Sequence, residues 1–218
     1  MADKFKLIES YYDVTEINDY FFNKIKDDLS GGPKKSKSSA YGVVGCWDIP
    51  LRLENDDNPI HQLIKKLEDD FGDFTIMTME SSIRLMSHPF TVHSDLSSTY
   101  ALLNYIRSVG AKTYKTFLIP LSWEQPSTPG TAFFNSPPRL DEPLYKEKLD
   151  ILPHYSEETQ DEMVRYSVAA IYKWKNPGDL VAWDDFVYHS TLDSHNYQYS
   201  LEPKNIAKKF ISLRVYPK

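Results

Sequence analysis

The segment Phe90-Thr91-Val92-His93-Ser94-Asp95 is the stretch from which the rest of the chain is interpreted. It has the composition of a strand, and its end carries a histidine and a carboxylate two positions apart. In a strand, residues i and i+2 point to the same face, so His93 and Asp95 can converge on one point. Converging imidazole and carboxylate groups supply two ligands of a 2-His-1-carboxylate metal site. The same spacing is also common in surface loops, so the metal hypothesis needs a third ligand elsewhere.

The best candidate for that third ligand is His189, which lies far along the chain. A turn at Asn176-Pro177-Gly178-Asp179 precedes two apolar segments, Leu180 to Trp183 and Phe186 to Tyr188. We predict that these segments are short strands paired with each other, and that His189 lies at the end of the second. Strand ends suit metal ligands because they hold side chains in a fixed geometry.

Composition limits the classes of protein that the chain can belong to. Its 218 residues are enough for one substantial domain. The formal net charge of -6 argues against a nucleic-acid partner, since general nucleic-acid binders are usually basic. The single cysteine, Cys46, excludes an internal disulfide and fits a reducing compartment. The N-terminus lacks the apolar core of a signal peptide, and no apolar run reaches the roughly 18 residues of a membrane span. We therefore predict a soluble, cytoplasmic protein with no membrane partner.

The first third of the chain, residues 1–73, is predicted to be mostly helical. Residues 13–29 carry apolar side chains at helical spacing, and Asp13 or Thr15 can cap this helix. A second helix is expected to open at Asn58-Pro59. Its apolar face comprises Ile60, Leu63, Ile64 and Leu67. Both helices are expected to pack on the outside of a sheet.

From residue 74 onward the chain consists of short β-prone segments separated by turns. We predict one domain over 1–218, with 1–73 as a helical buttress and 74–218 as a β-sandwich or barrel core. The fold class is mainly β with flanking helices (α+β). Residues 136–165 are an insertion rich in Pro, Asp and Glu, which could form a lid over a site or could be decoration.

The order of these features resembles the Fe(II)/2-oxoglutarate-dependent dioxygenase superfamily. Its members combine His-x-Asp, a long gap and a second histidine on a double-stranded β-helix, or jelly-roll, core. The glycine-led strand of that family looks like Gly130 to Phe134, and its proline-glycine segment looks like Pro177-Gly178. The resemblance covers roughly residues 74 to 216. It implies that Fe(II) is bound by His93, Asp95 and His189.

The resemblance also implies a basic residue, on the strand after the second histidine, that binds the far carboxylate of 2-oxoglutarate. Strand alternation over Lys208 to Tyr216 places Ile211, Leu213 and Val215 against covering elements, and Ser212 and Arg214 in the interior. A buried arginine needs a partner, and a bidentate carboxylate suits it. We predict Arg214 as the anchor with Ser212 as a helper, although family members usually place the arginine before the serine. The competing candidates are Lys209, Lys115 and Arg84.

The implied reaction uses dioxygen and 2-oxoglutarate, releases succinate and CO2, and most often hydroxylates a substrate. The sequence does not identify that substrate, although a small molecule or a peptide is favoured. Two alternatives remain open: a cupin-like metal enzyme that does not use 2-oxoglutarate, and a metal-free jelly-roll protein with a binding or structural role.

Overall fold

The computed structural model of the protein describes residues 5–24, 34–35, 46–78, 80–86, 108, 115–123, 129–134, 168–184, 187–192 and 208–218. Two helices and eleven strands lie within these ranges. The helices are α1 Thr15–Asp19 and α2 Ile60–Phe71. The strands are β1 Phe5–Ile8, β2 Lys34–Lys35, β3 Cys46–Pro50, β4 Phe74–Ile76, β5 Ser82–Met86, β6 Lys115–Trp123, β7 Gly130–Phe134, β8 Val168–Lys173, β9 Leu180–Asp184, β10 Tyr188–Leu192 and β11 Lys208–Pro217.

The strands form two antiparallel sheets. The large sheet has the order β1-β9-β6-β11-β5-β3-β2, with β4 paired to one end of β11. The small sheet has the order β10-β7-β8. Both sheets contribute side chains to a shared apolar cluster, as expected for two sheets packed face to face. The predicted fold class, a jelly-roll core that is mainly β with flanking helices, is confirmed.

The prediction that the two segments before His189 pair with each other is wrong. Strand β9 pairs with β1 and β6 in the large sheet, whereas β10 pairs with β7 in the small one. Leu180 to Trp183 are buried without exception, so this strand needs a neighbour on each side and a packing layer on each face. A hairpin with β10 would not provide both layers. The chain therefore crosses from one sheet to the other just before His189.

The second predicted helix is confirmed as α2. Its N-cap is Pro59, and the side-chain oxygen of the preceding Asn58 accepts a hydrogen bond from the N–H of the first helical residue, Ile60, at 3.1 Å. The helix ends before Gly72, whose φ of 87° is unfavourable for residues with a Cβ. Its buried side chains are Ile60, Leu63 and Leu67.

The first helix differs from its prediction. Its N-cap is Val14 rather than Asp13 or Thr15, although Asp13 Oδ1, just before the helix, accepts hydrogen bonds from the N–H and the hydroxyl of Thr15 at 2.9 and 2.6 Å. After α1 the chain continues as a π-helical segment, Tyr20–Lys24, and residues 25–29 lie outside the described ranges. The region 1–73 also supplies strands β1, β2 and β3 to the large sheet. In the part of the chain that is described, neither helix is long and apolar enough to cross a membrane.

The two faces of the large sheet have different surroundings. On the outer face, Leu213 and Phe117 pack with buried residues of both helices, such as Ile17 and Leu63. On the interior face, which looks toward the small sheet, a second cluster forms. Its buried members are Met86, Leu118, Phe133, Trp174, Val181, Trp183, Val187 and Phe210. The predicted alternation of β11 is confirmed for Leu213, which faces the helices, and for Phe210, which faces the interior.

The predicted turn before β9 fastens the sheet to the N-terminal segment. The carboxylate of Asp179, which is fully buried, accepts backbone N–H bonds from Ser10, Lys175 and Asn176 at 2.8, 2.8 and 3.0 Å. The Gly178 N–H donates to the carbonyl oxygen of Pro120, and the Gly178 carbonyl accepts from the Tyr12 N–H. This turn therefore fixes the start of the strand that leads to His189.

Candidate metal and co-substrate site

His189 lies on β10 opposite Phe133, at the beginning of its strand rather than at the end as predicted. It is 6% exposed, and its Nδ1 is 3.0 Å from the carbonyl oxygen of Val187. Because a carbonyl oxygen can only accept, Nδ1 must carry the proton in this bond. In the neutral ring the lone pair is then on Nε2. A backbone carbonyl that fixes the tautomer in this way is the usual support of a metal-binding histidine.

Aromatic side chains surround the His189 ring on the interior side. The Trp183 ring centre lies 4.7 Å from that of His189, and the Phe133 ring centre lies 6.4 Å away. Phe5, from β1, stacks on Phe133 at 4.8 Å. These rings hold the imidazole in one orientation and reduce the access of water to it.

The other two predicted ligands, His93 and Asp95, lie outside the described residues. Within the described ranges, no group of three or more His, Cys, Asp or Glu side chains could hold a metal ion. The three-residue site therefore stays a prediction. Its chemistry requires that the segment 90–95 bring both side chains to the interior beside β10.

Arg214 lies at the same level of the interior as His189. It pairs across the sheet with Thr116, which pairs with Trp183, which pairs with Phe5. Neighbouring strands are about 4.8 Å apart, so the backbones of Arg214 and Trp183 are separated by about 10 Å. We call this line of residues the Arg214 row. Because Trp183 contacts His189, the row joins the arginine to the candidate ligand.

The Arg214 side chain already forms an ion pair. Its Nη1 donates to Glu80 Oε2 at 2.8 Å, and the two side chains are 8% and 32% exposed. Its backbone N–H donates to Ser81 Oγ at 2.9 Å. A guanidinium has several N–H donors, so one bond to Glu80 is chemically compatible with a second carboxylate. The sequence predicted a buried arginine but could not identify Glu80, which is distant in the chain.

Ser212 lies on the interior side of β11, two residues from Arg214, and is 4% exposed. The two competing lysines point to the other face. The Lys209 ammonium lies 4.3 Å from the Phe22 ring centre. The Lys115 ammonium lies 3.0 Å from Asp184, and 5.7 Å from the ring centre of an α2 residue. On the observed geometry Arg214 and Ser212 are better placed than either lysine.

Arg84, the third competitor, lies opposite Phe210 on the neighbouring strand β5. Its Nε is 3.6 Å from Asp48 Oδ1, and the same oxygen accepts from Ser82 Oγ at 3.0 Å. The interior side of β3, β5 and β11 thus carries paired charges. Arg84 pairs with a β11 residue four positions away from Arg214, so it lies further from His189 and is the poorer partner for a ligand bound there.

Sequence reasoning missed Lys208. It is 1% exposed, and its ammonium lies 5.6 Å from the ring centre of Trp174 in the interior. A lysine at the start of a strand is normally assigned to the surface. The available signal was its position two residues before Phe210, because strand alternation puts both on the same face.

Comparisons with known proteins show which solved structures have a similar fold. No family model matches the chain, and no curated protein matches it. Among solved structures, the non-heme alpha ketoglutarate dependent epimerase SnoN from nogalamycin biosynthesis matches with a TM-score of 0.50 and 11% identity, over 99% of this chain and 79% of that one. EctD from S. alaskensis matches at 12% identity, with TM-scores of 0.49 with 2-oxoglutarate and 5-hydroxyectoine and 0.48 with bound Fe. These cover 99% of this chain and 72% and 73% of EctD. The resemblance to the Fe(II)/2-oxoglutarate oxygenases is confirmed at the level of the fold.

Proposed function

We propose that the chain is an Fe(II)- and 2-oxoglutarate-dependent oxygenase, in the first instance a hydroxylase of a small molecule or peptide. The observation that carries the proposal is His189, which is buried on the interior face and whose Nδ1 is hydrogen-bonded to a backbone carbonyl, so that the lone pair of the neutral ring is on Nε2. The fold is the one shared with such enzymes. A cytoplasmic location, consistent with the single Cys46, is part of the proposal.

The metal would be held by His93, Asp95 and His189. Two neutral imidazoles and one carboxylate suit Fe(II) and leave coordination positions open. When bound, Fe(II) would activate dioxygen, while oxidative decarboxylation of 2-oxoglutarate to succinate and CO2 supplies the electrons. One oxygen atom would enter succinate and the other would be inserted into a C–H bond of the substrate. The remaining task of the protein is to bind and orient the substrate and co-substrate and to exclude water from the site.

Arg214 and Ser212 would bind the far carboxylate of 2-oxoglutarate. Both face the interior, and the Arg214 row leads across two strand spacings to the Trp183–His189 contact. A carboxylate held by a buried guanidinium is stabilised by charge-assisted hydrogen bonds. The role of Glu80 would be to hold the guanidinium in position when no ligand is bound.

The ion pair with Glu80 also favours an alternative, a metal enzyme on the same fold that does not use 2-oxoglutarate. In that case the charge of Arg214 would be matched within the protein, by Glu80, and the arginine would have a structural role. The alternative keeps His189 as a metal ligand. It therefore predicts a response to metal and none to the co-substrate.

A thermal-shift titration of metal-stripped, anaerobic protein tests the proposal. Mn(II), which does not react with dioxygen here, is added first and 2-oxoglutarate second. The variants are His93→Ala, Asp95→Ala, His189→Ala and Arg214→Met. His61→Ala is the matched control, because its Nε2 bonds to the Asn55 carbonyl on the surface of the helical region.

A ligand that binds only the native state raises the melting temperature. We expect a rise with Mn(II) and a further rise with 2-oxoglutarate in the wild type and in His61→Ala. The variants at the three proposed metal ligands should show neither rise in melting temperature, whereas Arg214→Met should lose only the rise caused by 2-oxoglutarate. A metal step without a 2-oxoglutarate step would favour the alternative. No response to metal would exclude both and leave a jelly-roll binding or structural protein.

A further inference from the structure

Two buried donors on the interior side of the small sheet, Thr131 Oγ1 and Trp174 Nε1, have no hydrogen-bond partner in the part of the chain that is described. Thr131 is 2% exposed and Trp174 is 4% exposed. A buried donor without an acceptor destabilises a folded protein, and native structures keep few of them. An acceptor supplied by a ligand would account for both.

The two donors are neighbours. Thr131 lies two residues before Phe133, whose ring belongs to the interior cluster, so both face inward. The backbone N–H of Trp174 donates to the carbonyl oxygen of Pro129 at 2.9 Å, which continues the pairing of β7 with β8. Within that pairing Thr131 lies opposite Tyr172, two residues before Trp174. Such diagonal positions on adjacent strands bring side chains within reach of each other.

Ring contacts between the two sheets show which residues share a level in the interior. Phe133 lies 5.7 Å from Trp183, which belongs to the Arg214 row. Trp174 lies 5.9 Å from Phe210. Moving from Phe133 toward Trp174 on the small sheet thus corresponds to moving from the Arg214 row toward Phe210 on the large one.

Thr131 therefore lies at the level of Ser212, the interior residue between Phe210 and Arg214. The two hydroxyls face the same part of the interior from opposite sheets. His189 lies opposite Phe133, so Thr131 is two residues, or about 6.6 Å, further along the strand direction than the candidate metal ligand. A five-carbon dicarboxylate bound at the metal would extend over this distance.

We propose that Thr131 and Trp174 hydrogen-bond a carboxylate in the interior, opposite Ser212. The buried ammonium of Lys208 lies 5.6 Å from the Trp174 ring centre, so a positively charged group stands close to these two donors. The carboxylate is either the far end of 2-oxoglutarate, in which case the inference rests on the proposed function, or a separate small carboxylate. The competing occupant is an ordered water molecule.

The test compares two substitutions, each of which removes a buried hydroxyl for which the described residues provide no hydrogen-bond partner. Thr131→Val keeps the shape of the side chain, and Ser190→Ala is the matched control. Ser190 is also fully buried with no hydrogen bond from Oγ among the described residues, but it alternates with His189 and so faces away from the interior. Removing either hydroxyl should leave the melting temperature of the ligand-free protein unchanged or higher.

Isothermal titration calorimetry with Mn(II)-loaded full-length protein then measures the affinity for 2-oxoglutarate. We expect Thr131→Val to weaken it by about tenfold, the usual effect of losing a hydrogen bond to a charged group, and Ser190→Ala to leave it unchanged. Trp174→Phe, which removes the indole N–H, should weaken it in the same direction. Because 2-oxobutyrate lacks the far carboxylate, its affinity should be the same in the wild type and in Thr131→Val.

Titration of succinate into metal-free protein tests whether the site binds a separate small carboxylate instead. If Thr131→Val weakens succinate binding and leaves that of 2-oxoglutarate unchanged, the site takes a separate carboxylate. Equal affinities of the wild type and Thr131→Val for both compounds would overturn the inference and leave only water at the site. A wild type that binds no 2-oxoglutarate with Mn(II) would instead refute the proposed function, and the succinate arm would still decide the inference.

Discussion

The two sides of strand β11 differ in what they contribute. Toward the helices it presents Ile211, Leu213 and Val215, which are at most 2% exposed and belong to the apolar cluster beneath the helices. Toward the small sheet the same strand presents Lys208, Phe210, Ser212 and Arg214. The buried residues of the outer side are apolar, and its lysine, Lys209, is only partly buried, whereas the buried residues of the interior side include two cations and a hydroxyl. Since buried polar groups cost stability unless they are satisfied, the interior side is where a ligand would be bound.

The largest expected effect tests the outer side. Leu213→Ala should lower the free energy of unfolding by about 2–5 kcal/mol, because it removes a fully buried side chain and leaves a cavity between the sheet and the helices. Urea denaturation gives the value. Ser212→Ala, one position away on the interior side, is the control and should change the ligand-free stability by no more than about 1 kcal/mol.

If Leu213→Ala and Ser212→Ala lowered the free energy of unfolding equally, the distinction between the two sides of β11 would not hold. An unchanged affinity for 2-oxoglutarate in a folded Leu213→Ala protein would sharpen it, since the outer side would then affect stability alone.

The second largest effect is expected at the turn before β9, which holds the start of that strand in the large sheet. Gly178 has a φ of 85°, and a Cβ there would collide with the carbonyl oxygen of Tyr12. Gly178→Ala should therefore lower the free energy of unfolding by more than Gly72→Ala. At Gly72 the φ is 87° and, among the described residues other than its chain neighbours, no atom lies within 4 Å of an added Cβ, so the conformational cost of about 1–3 kcal/mol is the one expected. Equal losses in the two variants would show that the contact with Tyr12 is easily relieved.

A smaller change in stability, with a larger change in binding, is expected on the interior side. Arg214→Met should lower the free energy of unfolding by about 1–2 kcal/mol, because Glu80 keeps contact with water after the pair is lost. It should weaken 2-oxoglutarate binding to the Mn(II) form by at least about tenfold. Arg84→Met, which removes another interior arginine with an acidic partner, is the matched control. Equal loss of affinity in both would mean that Arg214 has no specific role as an anchor.

The smallest effect is a pH dependence on the outer side. Burial, and then the hydrogen bond to Asp70 at 2.8 Å, raise the pKa of Tyr11 above its ordinary value. Its contribution to stability is therefore fully present below about pH 10, where tyrosine in the unfolded chain is neutral, and is lost as pH rises further. Urea midpoints measured on both sides of pH 10 should fall less steeply in Tyr11→Phe than in the wild type. The same slope in both proteins would contradict this.

Much of the fold could be predicted because local patterns and tertiary contacts agree. The apolar face that begins after Asn58 and the alternation of β11 both gave the correct element and the correct buried side. The pairing of β9 could not be predicted, since its residues are apolar on both faces and the sequence alone does not say which layers cover them. The strand at Phe5–Ile8 was missed because it is short and is stabilised by β9, from the other end of the chain.

The candidate site was predictable only in part. The tautomer of His189 depends on the Val187 carbonyl, and the pairing of Arg214 depends on Glu80; both contacts are set by the path of the backbone rather than by residue type. The burial of Lys208 opposes its propensity for the surface. Such conflicts between residue type and location are expected where a ligand binds.

The most direct measurement uses Trp183, whose ring lies 4.7 Å from that of His189. Mn(II) bound through His189 should quench the emission of this tryptophan in the wild type. Trp183→Phe should still bind Mn(II) in equilibrium dialysis but lose this quenching, and His189→Ala should lose both. If His189→Ala binds Mn(II) as well as the wild type does, or if bound Mn(II) leaves the emission of Trp183 unchanged, the interior next to His189 is not a metal centre.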